Sequence, residues 1–278
     1  MQIKISFIAA FMAATALAQQ RPRCGTDEPS EALLEITREM GLREAEARKS
    51  SISTRQSGSI TVDTYFHVVS AGGSVAQGNI TDAMLADQLD VLNAQYAPYG
   101  VSFNLVGTTR TVNSGWADDS NQLAMKRSLR QGDYSTLNVY FQRTLQQNAL
   151  GYAYFPDNVA QGSTEYYLDG ASIMASSVPG GSEAPYNLGV TATHEIGHWL
   201  GLYHPFQGGC TGDGDEIDDT PAQSGYEFGC PVGRDSCPND PGDDPVHNYM
   251  GYSDDACLTE FTPNQETRIH NMWAQFRA

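Results

Sequence analysis

The segment His194-Glu195-Ile196-Gly197-His198-Trp199-Leu200-Gly201-Leu202-Tyr203-His204 constrains this chain more than any other. His194 and His198 stand four apart, so on a helix both imidazoles share one face and reach one ion. Glu195 is offset by about 100° from His194 and leans over that ion without ligating it. Gly201 lets the helix stop and the chain reverse through a backbone conformation that a side chain disfavours. The reversal brings His204 back as a third ligand. Three neutral imidazoles leave one coordination position open, which marks a catalytic rather than a structural zinc site. A carboxylate suits position 195, because water there must be oriented and then deprotonated, and a glutamine only orients.

The chain has 278 residues, enough for one large domain or two small ones with a buried core. Lys plus Arg number 16 and Asp plus Glu 33, a formal charge of −17. So acidic a surface repels phosphate backbones and argues against nucleic acid as a partner. It serves solubility, and part of it suits calcium. The first residues read as a secretory signal: Lys4, an apolar run from Ile5 to Leu17, then Ala16-Leu17-Ala18 as the cleavage site. That assigns 1–18 to the signal and makes Gln19 the new N-terminus. No other segment approaches membrane length. A secreted, extracellular protein without membrane attachment is expected. In that oxidising compartment cysteines tend to pair. Cys210, Cys230, Cys237 and Cys257 cluster, while Cys24 stands apart. Four clustered cysteines allow three pairings.

Glu31 to Ala47 carries apolar residues at helical spacing, followed by an exposed basic linker from Lys49 to Ser59. Two readings stand: a pro-segment over 19–56, cut in that linker, or an ordinary N-terminal helix and loop. Ile60 to Val69, Val101 to Val106, Leu137 to Gln142 and Ser172 to Ser176 read as strands. Thr81 caps a helix from Asp82 to about Tyr96, and Asn187 is the expected cap of a helix from about Leu188 to Leu202. Beyond Gly208 the chain turns to Gly, Asp, Pro and Cys and predicts little regular structure. Thr262-Pro263-Asn264-Gln265 opens a last helix, with a capping box and proline at its first position, running to about Phe276. Asn79-Ile80-Thr81 is a glycosylation sequon.

The extended histidine motif, followed by Asn248-Tyr249-Met250-Gly251-Tyr252 as a methionine turn, resembles the metzincins. Within that clan the chain is most similar to the pappalysins, especially their small secreted fungal-type members. Pro205 after the third histidine, Asp218-Asp219-Thr220-Pro221, and cysteines interleaved around the methionine turn carry the likeness. Serralysins share the proline but add glycine-rich calcium repeats, which this sequence lacks. The resemblance spans about Ile60 to Ala278. It implies an α+β, two-lobed catalytic domain over 57–278. A twisted mixed sheet and helices would lie above the cleft, with an irregular, disulfide-stapled lower lobe and a C-terminal helix below it. It implies one catalytic Zn2+ held by His194, His198 and His204, with Glu195 as general base. Met250 would be the apolar floor, and Tyr252 either an oxyanion donor or a packing aromatic. It also implies the pairs Cys210–Cys237 and Cys230–Cys257.

Some metzincins are kept latent by a pro-segment cysteine on the open zinc position. Arg21-Pro22-Arg23-Cys24-Gly25 resembles such a switch, with flanking arginines favouring the thiolate; the alternative is an incidental free cysteine. Asp213, Asp215, Glu216, Asp218 and Asp219 either hold a structural Ca2+, as the family often does, or form a solvated loop whose spacing fits no EF-hand. Leu150 to Pro156 resembles the upper cleft rim. Ser253 to Leu258 would line the pocket for the residue after the cleaved bond, where Asp254 and Asp255 favour a basic side chain. The expected protein is a monomeric, zinc-dependent metalloendopeptidase acting on extracellular proteins or peptides. Its rivals are a catalytically inert secreted binding protein on the same scaffold, and a metal-dependent hydrolase of other bonds.

Overall fold

A computed structural model describes residues 21–50, 58–212 and 214–278. The expected signal over 1–18, most of the basic linker and Asp213 lie outside the described residues. The elements in chain order are α1 (Glu31–Lys49), β1 (Ile60–Ser70), α2 (Asp82–Tyr96), β2 (Val101–Val112), α3 (Ser114–Ala117), α4 (Gln122–Leu129), β3 (Leu137–Gln142), β4 (Gly151–Ala153), α5 (Thr164–Leu168), β5 (Ala171–Met174), α6 (Val190–Trp199) and α7 (Pro263–Phe276).

The strands form one mixed sheet in the order β2-β1-β3-β5-β4. Neighbours are parallel except for β4, which runs antiparallel to β5. β3 is buried along its whole length, as a parallel strand covered on both faces must be. β2 lies at one edge and alternates burial with exposure. It runs to Val112, six residues beyond the expected Val106, because Thr108, Thr109, Arg110 and Thr111 continue the strand with a polar outer face. Between Thr64 and Tyr65 the register slips and skips a residue of β2, where Gly107 gives room to the Tyr65 ring. β4 forms the opposite edge, next to the motif helix.

The other departures from expectation are local. α6 starts at Val190, not Leu188, because Gly189 takes a left-handed φ of 89° and serves as its cap. Asn187, the expected cap, instead donates from Nδ2 to the Gly181 carbonyl. α6 stops at Trp199, before the expected Leu202. The final strand spans Ala171–Met174 and continues as a short 3-10 turn through Ser177. The three short helices α3, α4 and α5 gave no clear periodic signal.

One large core joins the sheet, α2, α6 and the start of the lower region through Phe66, Leu92, Phe141, Ile196, Trp199, Met250 and Phe261. All ten residues of α6 are buried. Its last turn is anchored from behind by Asp169, which accepts from Trp199 Nε1 at 3.1 Å and pairs with Arg277 at 3.0 Å and Arg130 at 3.3 Å. A second, smaller cluster sets Leu33 and Met40 of α1 against Tyr203 and Met272 of α7. A buried ion pair, Arg268 to Glu44 at 3.0 Å, fastens α1 to α7.

Removing Asp169 leaves two buried guanidinium groups without their carboxylate. Asp169→Ala is expected to destabilise the fold by about 3–5 kcal/mol, measured by denaturant unfolding; a loss below about 1 kcal/mol, the level of an exposed pair, would contradict this anchoring role.

Candidate metal centre

Three imidazoles converge at the end of α6. His194 and His198 lie one turn apart. After the helix the chain reverses at Gly201, with φ at 91°, and returns His204. A Cβ there would meet Met272 at 2.5 Å, so α7 also packs where only glycine fits. His194 Nδ1 donates to the Tyr249 carbonyl and His198 Nδ1 to the Leu202 carbonyl, both at 2.8 Å. Those bonds fix the tautomer and turn each Nε2 lone pair inward. The three Nε2 atoms stand 3.1 to 3.2 Å apart. Nitrogens about 2.0–2.1 Å from a tetrahedral zinc stand about 3.3 Å from one another, so the donor set fits that ion. Burial lowers all three imidazole pKa values, His198 to about 4, and keeps them in the neutral, ligating form.

Met250 lies directly beneath. A Cβ on Gly197 would meet its Sδ at 2.4 Å. Met250 N donates to Asn248 Oδ1, and the Asn248 and Gln265 amides pair at 2.7 and 3.1 Å. Gln265 is the capping-box residue of α7, so the helix cap and the methionine turn are one hydrogen-bonded unit.

Cys24 reaches the same point. Its Sγ and one nitrogen of each histidine lie within 4.8 Å of one another. It also donates to Glu195 Oε2 at 3.3 Å, and Thr26 Oγ1 donates to that oxygen at 2.9 Å. Burial pushes the Glu195 carboxyl up to about 8, against the lowering pull of those bonds. Backbone pairing holds the cysteine in place. Gly25 N donates to the Gly151 carbonyl, Leu150 N to Pro22 O, and Ala153 N to Thr26 Oγ1. The segment Leu150 to Pro156 therefore does line the site, and Phe155 sets its ring edge against His198 at 5.3 Å.

The flanking arginines do not face the thiol, contrary to expectation. Arg23 is buried and pairs with Asp255 at 2.8 Å, while Arg21 turns to Glu183 at 3.4 Å. The Cys24 thiol is instead pushed well up, by burial first and then by the charge of Glu195. Arg23 also donates to the Ser253 carbonyl and lies 5.4 Å from the centre of the Tyr186 ring. Asp254 is tied to the Gly229 backbone instead. Tyr252 sets its ring 5.2 Å from His204 and 5.7 Å from His194, and donates to the Cys24 carbonyl at 3.3 Å.

The disulfides are Cys210–Cys237 and Cys230–Cys257, as the resemblance implies, and Cys24 is the free cysteine among the described residues. The acidic loop is divided in its duties. Asp218 pairs with Arg48, Glu216 with Arg38, and Asp219 accepts from Thr262 and Asn264. Asp215 is buried and its Oδ2 has no hydrogen-bond partner. Asn79 uses both ends of its side chain, with Arg110 on its oxygen and the Gly73 carbonyl on its nitrogen. Thr26, Phe206, Tyr226 and Glu227 were not identified as site residues from the sequence, whereas Asp255 was expected in the pocket that follows the cleaved bond.

The family model described as pregnancy-associated plasma protein-A, peptidase M43, matches residues 124–274. An "Extracellular metalloprotease" of Colletotrichum graminicola is 55% identical over the full length of both chains. "Extracellular metalloprotease 1" of Coccidioides posadasii is 54% identical over 96% of this chain and 94% of its own. This chain belongs to the pappalysin family of zinc metalloproteases. Among solved pappalysin-like structures, mature mirolysin of Tannerella forsythia with a cleaved peptide matches at a TM-score of 0.66. It is 32% identical over 78% of this chain and 92% of its own. A promirolysin mutant matches at 0.67 and 30% identity, over 90% and 93%. The pappalysin assignment carries the metzincin α+β fold, metalloendopeptidase activity and a zinc requirement. No helix among the described residues is long and apolar enough to cross a membrane.

Proposed function

We propose that this chain is the zymogen of a secreted zinc endopeptidase in which Glu195 is the general base and residues 19–56 are a removable inhibitory segment. The observation that carries the reading is the meeting of Cys24 Sγ and Thr26 Oγ1 on the Glu195 carboxylate, beside three converging imidazoles. When bound, zinc polarises the scissile carbonyl and makes water a nucleophile near neutral pH. His194, His198 and His204 hold it. Glu195 orients the attacking water, takes its proton and delivers it to the leaving amine. The Tyr252 hydroxyl, freed from the Cys24 carbonyl, donates to the developing oxyanion.

In the latent form Cys24 would join the three histidines in holding the metal, whose charge rather than the arginines would ionise the thiol. The share of this chain that aligns rises from 78% against mature mirolysin to 90% against promirolysin, which supports an N-terminal segment belonging to the pro-form. Extracellular names among the relatives support secretion.

Arg23 occupies a pocket of Asp255, the Ser253 carbonyl and Tyr186, all within or against the stretch expected to receive the residue after the cleaved bond. Release of the segment vacates a buried acid there, so substrates with arginine or lysine at that position are favoured. A structural calcium completes the reading. Asp215 Oδ2 lies without a partner beside a cavity of about 300 Å³ lined also by Glu216 and Asp218. Burial pushes the Asp215 carboxyl up from 3.8 to about 7. Its stabilising protonated form is therefore complete below pH 3.8 and lost as pH rises through 7, unless a cation takes the proton's place.

Four outcomes follow. Glu195→Gln lowers casein hydrolysis by about 10²–10⁴-fold, whereas unchanged hydrolysis would point to a different catalytic base. Cys24→Ala makes the zymogen more active or faster to mature; if it does neither, the latency role fails. Third, a peptide-library digest shows cleavage before arginine or lysine, and Asp255→Asn loses about 10–100-fold of that preference. An unaltered library profile rules the pocket out. Fourth, in the inactive Glu195→Gln zymogen at pH 8, calcium raises Tm and Asp215→Asn abolishes the response. No shift in the parent zymogen removes calcium from this loop.

A further inference from the structure

We infer that Tyr226 and Glu227 are positioning residues for Tyr252, gripping its ring and its backbone so that its hydroxyl is held where an oxyanion forms. The inference rests on the reading of Tyr252 as oxyanion donor. Tyr226 stacks on the Tyr252 ring at 5.2 Å and 28° between planes. It is 56% exposed, so burial of its own ring does not account for its place. Phe206 supports Tyr252 from another side, edge-on at 5.0 Å, and is itself stacked on His204 at 4.6 Å and 11°. The rings thus form a continuous series from a metal-ligating imidazole through Phe206 and Tyr252 to Tyr226.

The neighbouring residue holds the main chain. Glu227 is buried, and its Oε1 accepts from Tyr252 N at 3.2 Å and from Ser253 Oγ at 3.0 Å. A Cβ on Gly251 would meet the same oxygen at 2.9 Å, so the carboxylate lies tight against the turn that presents Tyr252. Its other oxygen accepts from Gln223 and faces Arg234 at 3.7 Å. Both clamp residues lie inside the loop closed by Cys210–Cys237, and Cys230–Cys257 ties the chain just after them to the chain just after Tyr252. The two bridges keep the clamp from drifting off its target without touching the metal.

A misplaced donor costs transition-state stabilisation while leaving ground-state binding largely intact. In the mature zinc enzyme, Tyr226→Ala is expected to lower kcat about tenfold with KM changed less than about twofold. Tyr226→Phe retains the stacking ring and rescues the rate. Glu227→Gln keeps an acceptor but loses its charge, and falls about threefold in kcat. In a Tyr252→Phe enzyme, already slow, adding Tyr226→Ala costs nothing further, because the hydroxyl being positioned is gone. Additive losses there, or an effect confined to KM, overturn the inference. Ring mobility of Tyr252, read by carbon-13 tyrosine NMR with and without metal, rises in Tyr226→Ala but not in Tyr226→Phe; unaltered mobility overturns the clamp whatever the rates do. Should Tyr252→Phe itself leave kcat intact, the donor reading of Tyr252 fails, and ring mobility still decides the clamp.

Discussion

Everything in this structure is arranged around three nitrogen lone pairs held 3.1 to 3.2 Å apart. Lone pairs that close repel unless a cation stands between them, so the site must be held together by the rest of the fold. Two backbone carbonyls orient the imidazoles, and burial keeps them neutral. One of those carbonyls belongs to Tyr249, next to Met250, which fills the space under Gly197. The methionine turn thus acts twice, as an orienting acceptor and as a floor. Its own place depends on Asn248 and on the cap of α7. The ligand geometry therefore extends without a break from α6 to the last helix.

The motif was legible because its constraints are local. A spacing of four, a glycine that reverses the chain and a third histidine specify a ligand set with no knowledge of the fold. The methionine turn and the disulfide pairs were legible only through resemblance, since four cysteines alone permit three pairings. The misreadings have physical sources. β2 looked too short because an edge strand keeps a polar face, and strand signals fade where apolar residues give out. α6 was begun too early because Asn187 has the right chemistry for a cap, while the left-handed turn at Gly189 resets where helical geometry can start. Arg23 and Asp255 stand 232 positions apart, and no periodicity joins such a pair. The Tyr226–Tyr252 stack is of the same kind, made by a loop whose path the disulfides set.

In the proposed zymogen, fold and latency meet in the way the N-terminal segment is attached. Its helix lies on α7 through the buried Arg268–Glu44 pair, with Asn271 also donating to Glu44. Its extended part then crosses the site and ends with Arg23 paired to Asp255. Three separate attachments combine because the chain between them is short and ordered. Their chemistry differs. The α1 contact is partly apolar, the Glu195 contact is made by hydrogen bonds, and the Arg23 contact is ionic and buried. Cutting the basic linker after α1 breaks none of them directly. A cut there would make the segment a separate chain, whose affinity would then depend on concentration rather than on a covalent tether.

The extended part also runs along the edge strand that lies beside the three imidazoles. β4 ends the sheet, and among the described residues its outer edge meets no further strand of the sheet. In this structure Leu150 N, Gly151 O and Ala153 N are met by Pro22 O, Gly25 N and Thr26 Oγ1. An extended peptide laid along the cleft as an added strand would need those same groups. The segment therefore satisfies the rim that a substrate would use, while Cys24 and Thr26 occupy the carboxylate that would act on it. It enters parallel to β4 and presents a thiol at the converging imidazoles.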